Sequence, residues 1–188
     1  MASDTRERLV RSTSRLLRRQ GYAATGLNQV MAEADAPKGS MYFHFPGGKE
    51  QLAAAAVDLF AERSSANLDR QLTEHETVAE AVEAIFDSYV QHLERTEYRE
   101  GCAVATVALD AAGSHDALAE ATSRALHGWT DRVAAALEAE GREAAEAHAL
   151  ATLVIAAIEG TVVMAKGQRS TEPIAAVRDV LKDILRPS

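Results

Sequence analysis

The stretch from Thr25 to Lys49 leaves room for two short helices and a tight turn between them. Thr25 is a residue type favoured at helix N-caps, where its hydroxyl accepts from an otherwise unpaired backbone N–H. Leu27, Val30, Met31 and Ala34 then recur at i, i+3, i+4 and i+7, the stripe of a helix with one buried face. Asp35-Ala36 makes the turn. Pro37 suits the first position of the next helix, because its missing N–H has no intrahelical partner to lose. That helix reads Lys38-Gly39-Ser40-Met41-Tyr42-Phe43-His44 and is stopped by Pro46-Gly47-Gly48. Two short helices so joined form a helix-turn-helix, a unit that lays the N-terminal part of its second helix in the major groove of DNA.

The rest of the chain is helical in pattern. Thr5 to Gln20 carries Leu9, Thr13, Leu16 and Leu17 on one face, with Arg8, Arg11, Arg15, Arg18 and Arg19 over much of the remainder. Gly21 is placed to end this helix with a left-handed C-cap. From Lys49 a long helix resumes, with Leu52, Ala55, Ala56, Leu59, Phe60 and Arg63 on a 3.6-residue period until the pattern pauses at 73–77. Further amphipathic segments cover 78–98, 102–112, 116–140, 142–166 and 173–185. With 4 Pro and 11 Gly in 188 residues and no alternating β-branched run, the fold class is all-α. The predicted domains are residues 1–48, a three-helix helix-turn-helix unit, and residues 49–188, a larger helical domain.

Net charge is −8, which taken alone argues against nucleic acid. Its distribution is uneven: residues 1–50 hold eight Lys/Arg against five Asp/Glu, and the remainder twelve against twenty-three. A basic head on an acidic body suits a polyanion-binding end, and equally a solvated helix face. The single cysteine, Cys102, excludes an intramolecular disulfide and reads as a small buried hydrophobe. Residues 1–19 are charged and lack the apolar core of a secretory signal. The most apolar run, 149–165, is short for a membrane span and contains Glu159, so it reads as a buried helix. These features predict a cytoplasmic protein with no membrane partner.

On the second short helix, Lys38 suits guanine O6 and N7, while Ser40 and Tyr42 suit phosphates or base edges. Gly39 admits a close backbone approach, and His44 can bond a phosphate. Lys49 stands where an ammonium and a helix N-terminus together can hold a phosphate. Met41, Phe43 and Phe45 read as core. The run T-G-L-N-Q-V-M-A-E-A-D-A-P-K-G-S-M-Y-F-H-F-P-G-G-K-E-Q-L, above all Thr25, Val30, Ala34, Gly39, Ser40, Tyr42, Phe45, Pro46, Lys49, Glu50 and Leu52, resembles the DNA-binding signature of TetR-family regulators. The doubled Gly47-Gly48 and the later run from Gly101 to Asp110 resemble the LmrA/YxaF-like branch. The resemblance implies a recognition surface of Lys38, Gly39, Ser40, Tyr42 and His44, with Thr25 and Lys49 as phosphate anchors. It also implies a homodimer, double-stranded operator DNA as partner, and a C-terminal domain that binds ligand and dimerises.

Within that larger domain, Phe60, Phe86, Tyr89, Trp129 and Met164 suit either an apolar cavity for a small apolar or aromatic effector, or plain core. Glu159 reads either as a polar group of that cavity or as the edge of a helix interface. Ala147, Leu150, Ala151, Val154, Ile158 and Thr161, with Ile174, Val177, Leu181, Ile184 and Leu185, give apolar faces broad enough for dimerisation. No metal-ligand spacing joins the six histidines, and no nucleophile motif or phosphate-cradling loop appears. The expectation is therefore no catalytic residue, no metal and no cofactor. An enzyme, and a DNA-binding or scaffold protein of the same fold without an effector, are the competing classes.

Overall fold

Residues 2–37, 39–111 and 115–186 are described by the structure, a computed structural model. Every regular element among them is an α-helix: α1 (Ala2–Ala24), α2 (Leu27–Glu33), α3 (Ser40–His44), α4 (Gly48–Glu74), α5 (Val78–Arg95), α6 (Ala103–Ala111), α7 (Asp116–Ala139), α8 (Ala144–Gln168) and α9 (Glu172–Leu185). Contacts group them into two compact units. One joins Met1–Arg63 with Cys102–Ala125, and the other joins Ser64–Gly101 with Leu126–Ser188. The chain therefore returns to its first unit through α6 after leaving it along α4.

In the first unit α1 packs on α6, α2 and α3. Leu9, Thr13, Leu16 and Leu17 are all buried, as their spacing predicts. Gly21 interrupts α1, though not as a left-handed cap: φ is +77° but ψ is −178°. The chain then makes one more helical turn, whose leading amides are held from a distance. The Tyr22 and Ala23 N–H groups both donate to Asp110 Oδ2 on α6, at 2.7 and 3.1 Å. A charged acceptor on two first-turn amides is the arrangement of a helix N-cap, here supplied by another helix.

Several local expectations need correction. The N-cap of α2 is Gly26, and Thr25 instead donates its hydroxyl to the Gly21 carbonyl at 2.6 Å. Helix α3 starts at Ser40, whose hydroxyl and amide both donate to the Pro37 carbonyl, so Pro37 precedes the helix rather than opening it. Phe43 is not core, being 78% exposed. The arginines of α1 are largely engaged: Arg8 pairs with Asp4, Arg11 with Glu7 and Arg15 with Glu33, while Arg18 lies over the Phe60 ring. The basic head is thus partly neutralised by its own acids.

In the second unit α5, α8 and α9 pack together. Phe86, Leu93, Val133, Leu137, Val154, Ile174 and Leu185 form its core. Lys182–Glu83 and Arg178–Asp87 ion pairs, each 2.8 Å, join α9 to α5. Helix α8 is long and apolar enough to cross a membrane by length and composition. Its Ala147, Ala151, Val154, Ile158, Thr161, Val162 and Ala165 are nevertheless buried within the unit. Of the residues expected on a dimerisation face, Ala147, Ala151, Val154, Ile158, Thr161, Ile174, Leu181 and Leu185 are thus intrachain core, while Leu150 and Val177 are half-buried and Ile184 is exposed.

Helix α5 begins with a capping box. Thr77 Oγ1 accepts from the Glu80 N–H, and Glu80 accepts from the Thr77 N–H, each at 3.2 Å. Its end comes at Arg95, three residues short of the expected boundary, because Glu97 and Tyr98 take positive φ. Removing the Thr77 hydroxyl leaves an unpaired first-turn amide. Thr77→Ala should therefore cost about 1 kcal/mol, read as a lowered urea midpoint with an unchanged m-value.

Candidate nucleic-acid interface

Helix α3 is five residues long and depends on tertiary contacts for its placement. Met41 and Phe45, four positions apart, are both about 1% exposed and fix its inner side. Arg6 lies over the Phe45 ring at 5.2 Å and covers that side further. Opposite them stand Gly39, Tyr42 and Phe43, all exposed, at i, i+3 and i+4. Tyr42 is 63% exposed. His44 is half-buried, its ring edge-on to Phe43 with centroids 5.0 Å apart.

The structure places the expected contact residues unequally. Gly39, Tyr42 and His44 share α3 or its cap with the exposed face, and Ser40 is half-buried at its start. Lys38 lies outside the described residues. Thr25 is only 2% exposed with its hydroxyl bonded inward, so it braces the turn before α2 instead of presenting a donor. Lys49, in the first turn of α4, sits 4.3 Å from the centre of the Tyr22 ring and 3.4 Å from the Ala23 carbonyl. Burial lowers its ammonium pKa, and the Asp110 carboxylate pulls the other way. The neighbouring Glu50 ties the start of α4 to that of α7, through His115 at 3.3 Å and the Ala117 N–H at 3.3 Å. Phe43 and the exposed polar pair Asn28 and Gln29 on α2 are surface features that the sequence reading missed. The 41-to-45 spacing was the available signal for Phe43, since it puts position 43 on the opposite side of a helix.

The residues expected to line a cavity are divided between the two units. Phe60 belongs to the first unit, half-buried under Arg18. In the second unit Phe86 is wholly buried, while Met164 is 50% exposed on α8. Trp129 is buried, with its indole N–H donating to Ser65 Oγ at 3.1 Å. Tyr89 and Glu159 are half-buried. No group of His, Cys, Asp and Glu able to hold a metal occurs among the described residues.

Comparison with known proteins divides the chain in sequence order, not by its two compact units. The family model for bacterial regulatory proteins of the tetR family matches residues 9–56. The model for the C-terminal domain of LmrA/YxaF-like transcriptional regulators matches residues 78–180. An uncharacterised HTH-type transcriptional regulator of Mycobacterium tuberculosis is 35% identical over 185 residues, 96% of this chain and 93% of the relative. The HTH-type transcriptional regulator LmrA of Bacillus subtilis is 32% identical over 183 residues, 97% of each chain. Among solved structures, a TetR transcriptional regulator from Legionella pneumophila superposes with a TM-score of 0.86 at 19% identity, over 96% of each chain. A cysteine mutant of CifR complexed with 26-bp double-strand operator DNA gives a TM-score of 0.81 at 20% identity, again over 96% of each chain.

Proposed function

The chain belongs to the TetR family of bacterial transcriptional regulators, in its LmrA/YxaF-like branch, and on that premise we propose that it is a dimeric repressor released from a palindromic operator by a small apolar effector. The observation that carries this reading is α3 itself. A five-residue helix anchored by Met41 and Phe45 turns a glycine, a tyrosine and a phenylalanine outward, and has no reason to expose them unless that face meets something. CifR, which shares the fold, is held on operator DNA. The relatives and family models are those of transcriptional regulators, not enzymes. The protein acts in the cytoplasm, where its operator lies.

The second copy meets the outer sides of α8 and α9. Leu153, Gly160, Val163 and Met164 on α8, with Val180 and Ile184 on α9, are exposed apolar or small residues left after the intrachain core is complete. Two-fold pairing through them would set two α3 helices on half-sites related by the same axis. The effector is taken up in the second unit, where Tyr89, Trp129 and Glu159 combine apolar bodies with polar tips. The test is duplex selection from a random pool, sedimentation of the free protein, and Trp129 fluorescence during titration with apolar compounds. Enrichment of a palindrome, a dimer at micromolar concentration, and ligand-induced release from DNA are expected. A monomer with no enriched duplex would overturn the reading.

Lys38 and Lys49 should differ in kind. Lys38→Ala is expected to relax discrimination at one operator position, at a cost of about 1–3 kcal/mol against the correct base. Lys49 stands in the first turn of α4, outside the groove-facing helix, so Lys49→Ala should weaken all sequences alike and flatten the salt dependence by about one unit per protomer. Titration of operator and scrambled duplex at several salt concentrations separates the two.

A further inference from the structure

Phe43 is the most exposed large apolar side chain among the described residues, at 78%, and it stands on the face of α3 that carries Gly39 and Tyr42. It is held there in a definite attitude, with the His44 ring edge-on at 5.0 Å and 80°. A phenyl ring has no donor or acceptor, so it cannot read the hydrogen-bond pattern of a base edge or bond a phosphate. The major groove offers one apolar feature on its floor, the 5-methyl group of thymine. The geometry points to Phe43 as a specificity-determining residue that packs on a thymine methyl in each operator half-site. This rests on the reading of α3 as the groove-facing helix. Tyr42, beside it, has a hydroxyl and is free to take a polar contact, so the pair divides the face into one apolar and one polar reader.

The chemistry allows the methyl to be removed without touching any hydrogen-bonding group. Each thymine of the selected operator is replaced in turn by uracil, and binding is measured for the wild-type chain and for Phe43→Ala, whose exposed position leaves its melting temperature unchanged. One thymine per half-site should cost the wild type about four-fold per half-site when replaced, the value of one buried methyl-sized group. The same replacement should leave Phe43→Ala unaffected. A C·G pair at that position provides a second measurement: methylation of the cytosine at C5 should tighten wild-type binding about four-fold and leave the variant unchanged. Wild-type indifference to every uracil, with Phe43→Ala weakened equally on operator and scrambled duplex, would put the ring on the sugar-phosphate backbone and overturn the proposal while leaving DNA binding intact. A uracil cost that persists in the variant would assign the methyl to another side chain. Enrichment of no duplex at all would overturn the α3 reading, and this proposal with it.

Discussion

Phe86→Ala is expected to lower the free energy of unfolding by about 3–5 kcal/mol, the range for truncating a large side chain in a closed core. Phe86 is wholly buried on α5, among helices that also bury Leu93, Val133, Leu137 and Val154. Truncation removes the transfer energy of the ring and leaves a cavity that those neighbours fill only in part. Urea unfolding followed by Trp129 fluorescence measures the loss directly, since the buried indole should shift when it meets water. A loss below about 1 kcal/mol would mean that the ring borders solvent-filled space and that Phe86 lines a ligand cavity after all. The same experiment with an apolar ligand present is informative, because a ligand that fills the new cavity restores stability through mass action.

Gly21→Ala should cost about 2–5 kcal/mol, from two sources that can be separated. A backbone at φ +77° and ψ −178° is open to glycine and strained for an L side chain. A Cβ built there would also lie 2.6 Å from Asp110 Oδ2 and 3.2 Å from Thr106 Cγ2. The carboxylate must move, and the Tyr22 and Ala23 amides lose their shared acceptor. In an Asp110→Ala background the conflict with the carboxylate is gone, leaving the backbone strain and the close Thr106 methyl, so the two substitutions should cost less together than the sum of each alone. Additive losses would show that the carboxylate and the glycine do not interact.

How far the sequence could be read depended on whether a local period fixed the answer. Leu9, Thr13, Leu16 and Leu17 were legible because four inward positions on one helix overdetermine its orientation. The two short helices and their stop at Pro46-Gly47-Gly48 were legible through breakers. Phe43 was misjudged on residue type, although Met41 and Phe45 already define the inner side of so short a helix. Helix α8 was harder in principle: apolar residues surround it, so its composition cannot say which side meets α5 and α9 and which faces outward. Hence Val154 and Ile158 were expected on the free face, while Val163 and Met164 occupy it. Among the charges, Arg11–Glu7 is visible as an i,i+4 pair, but Arg15–Glu33 joins two helices and leaves no local mark. Asp110 on Tyr22 and Ala23 is further still from any periodic signal.

That last contact separates donor and acceptor by 88 positions in the chain, and so gives the first unit a schedule. Protein synthesis adds about 5–20 residues per second, so roughly 4–18 s pass between the making of Tyr22 and the making of Asp110. During that interval α1, α2 and α3 exist without the helix on which α1 packs. The amides after Gly21 have only water as an acceptor, and α1 lacks the helix that packs along it. A nascent chain released from the ribosome before α6 would carry every residue of the helix-turn-helix yet lack the closing piece of the unit that holds it. The reading head of this regulator is therefore finished late, by a segment that the family models count with the other half of the protein.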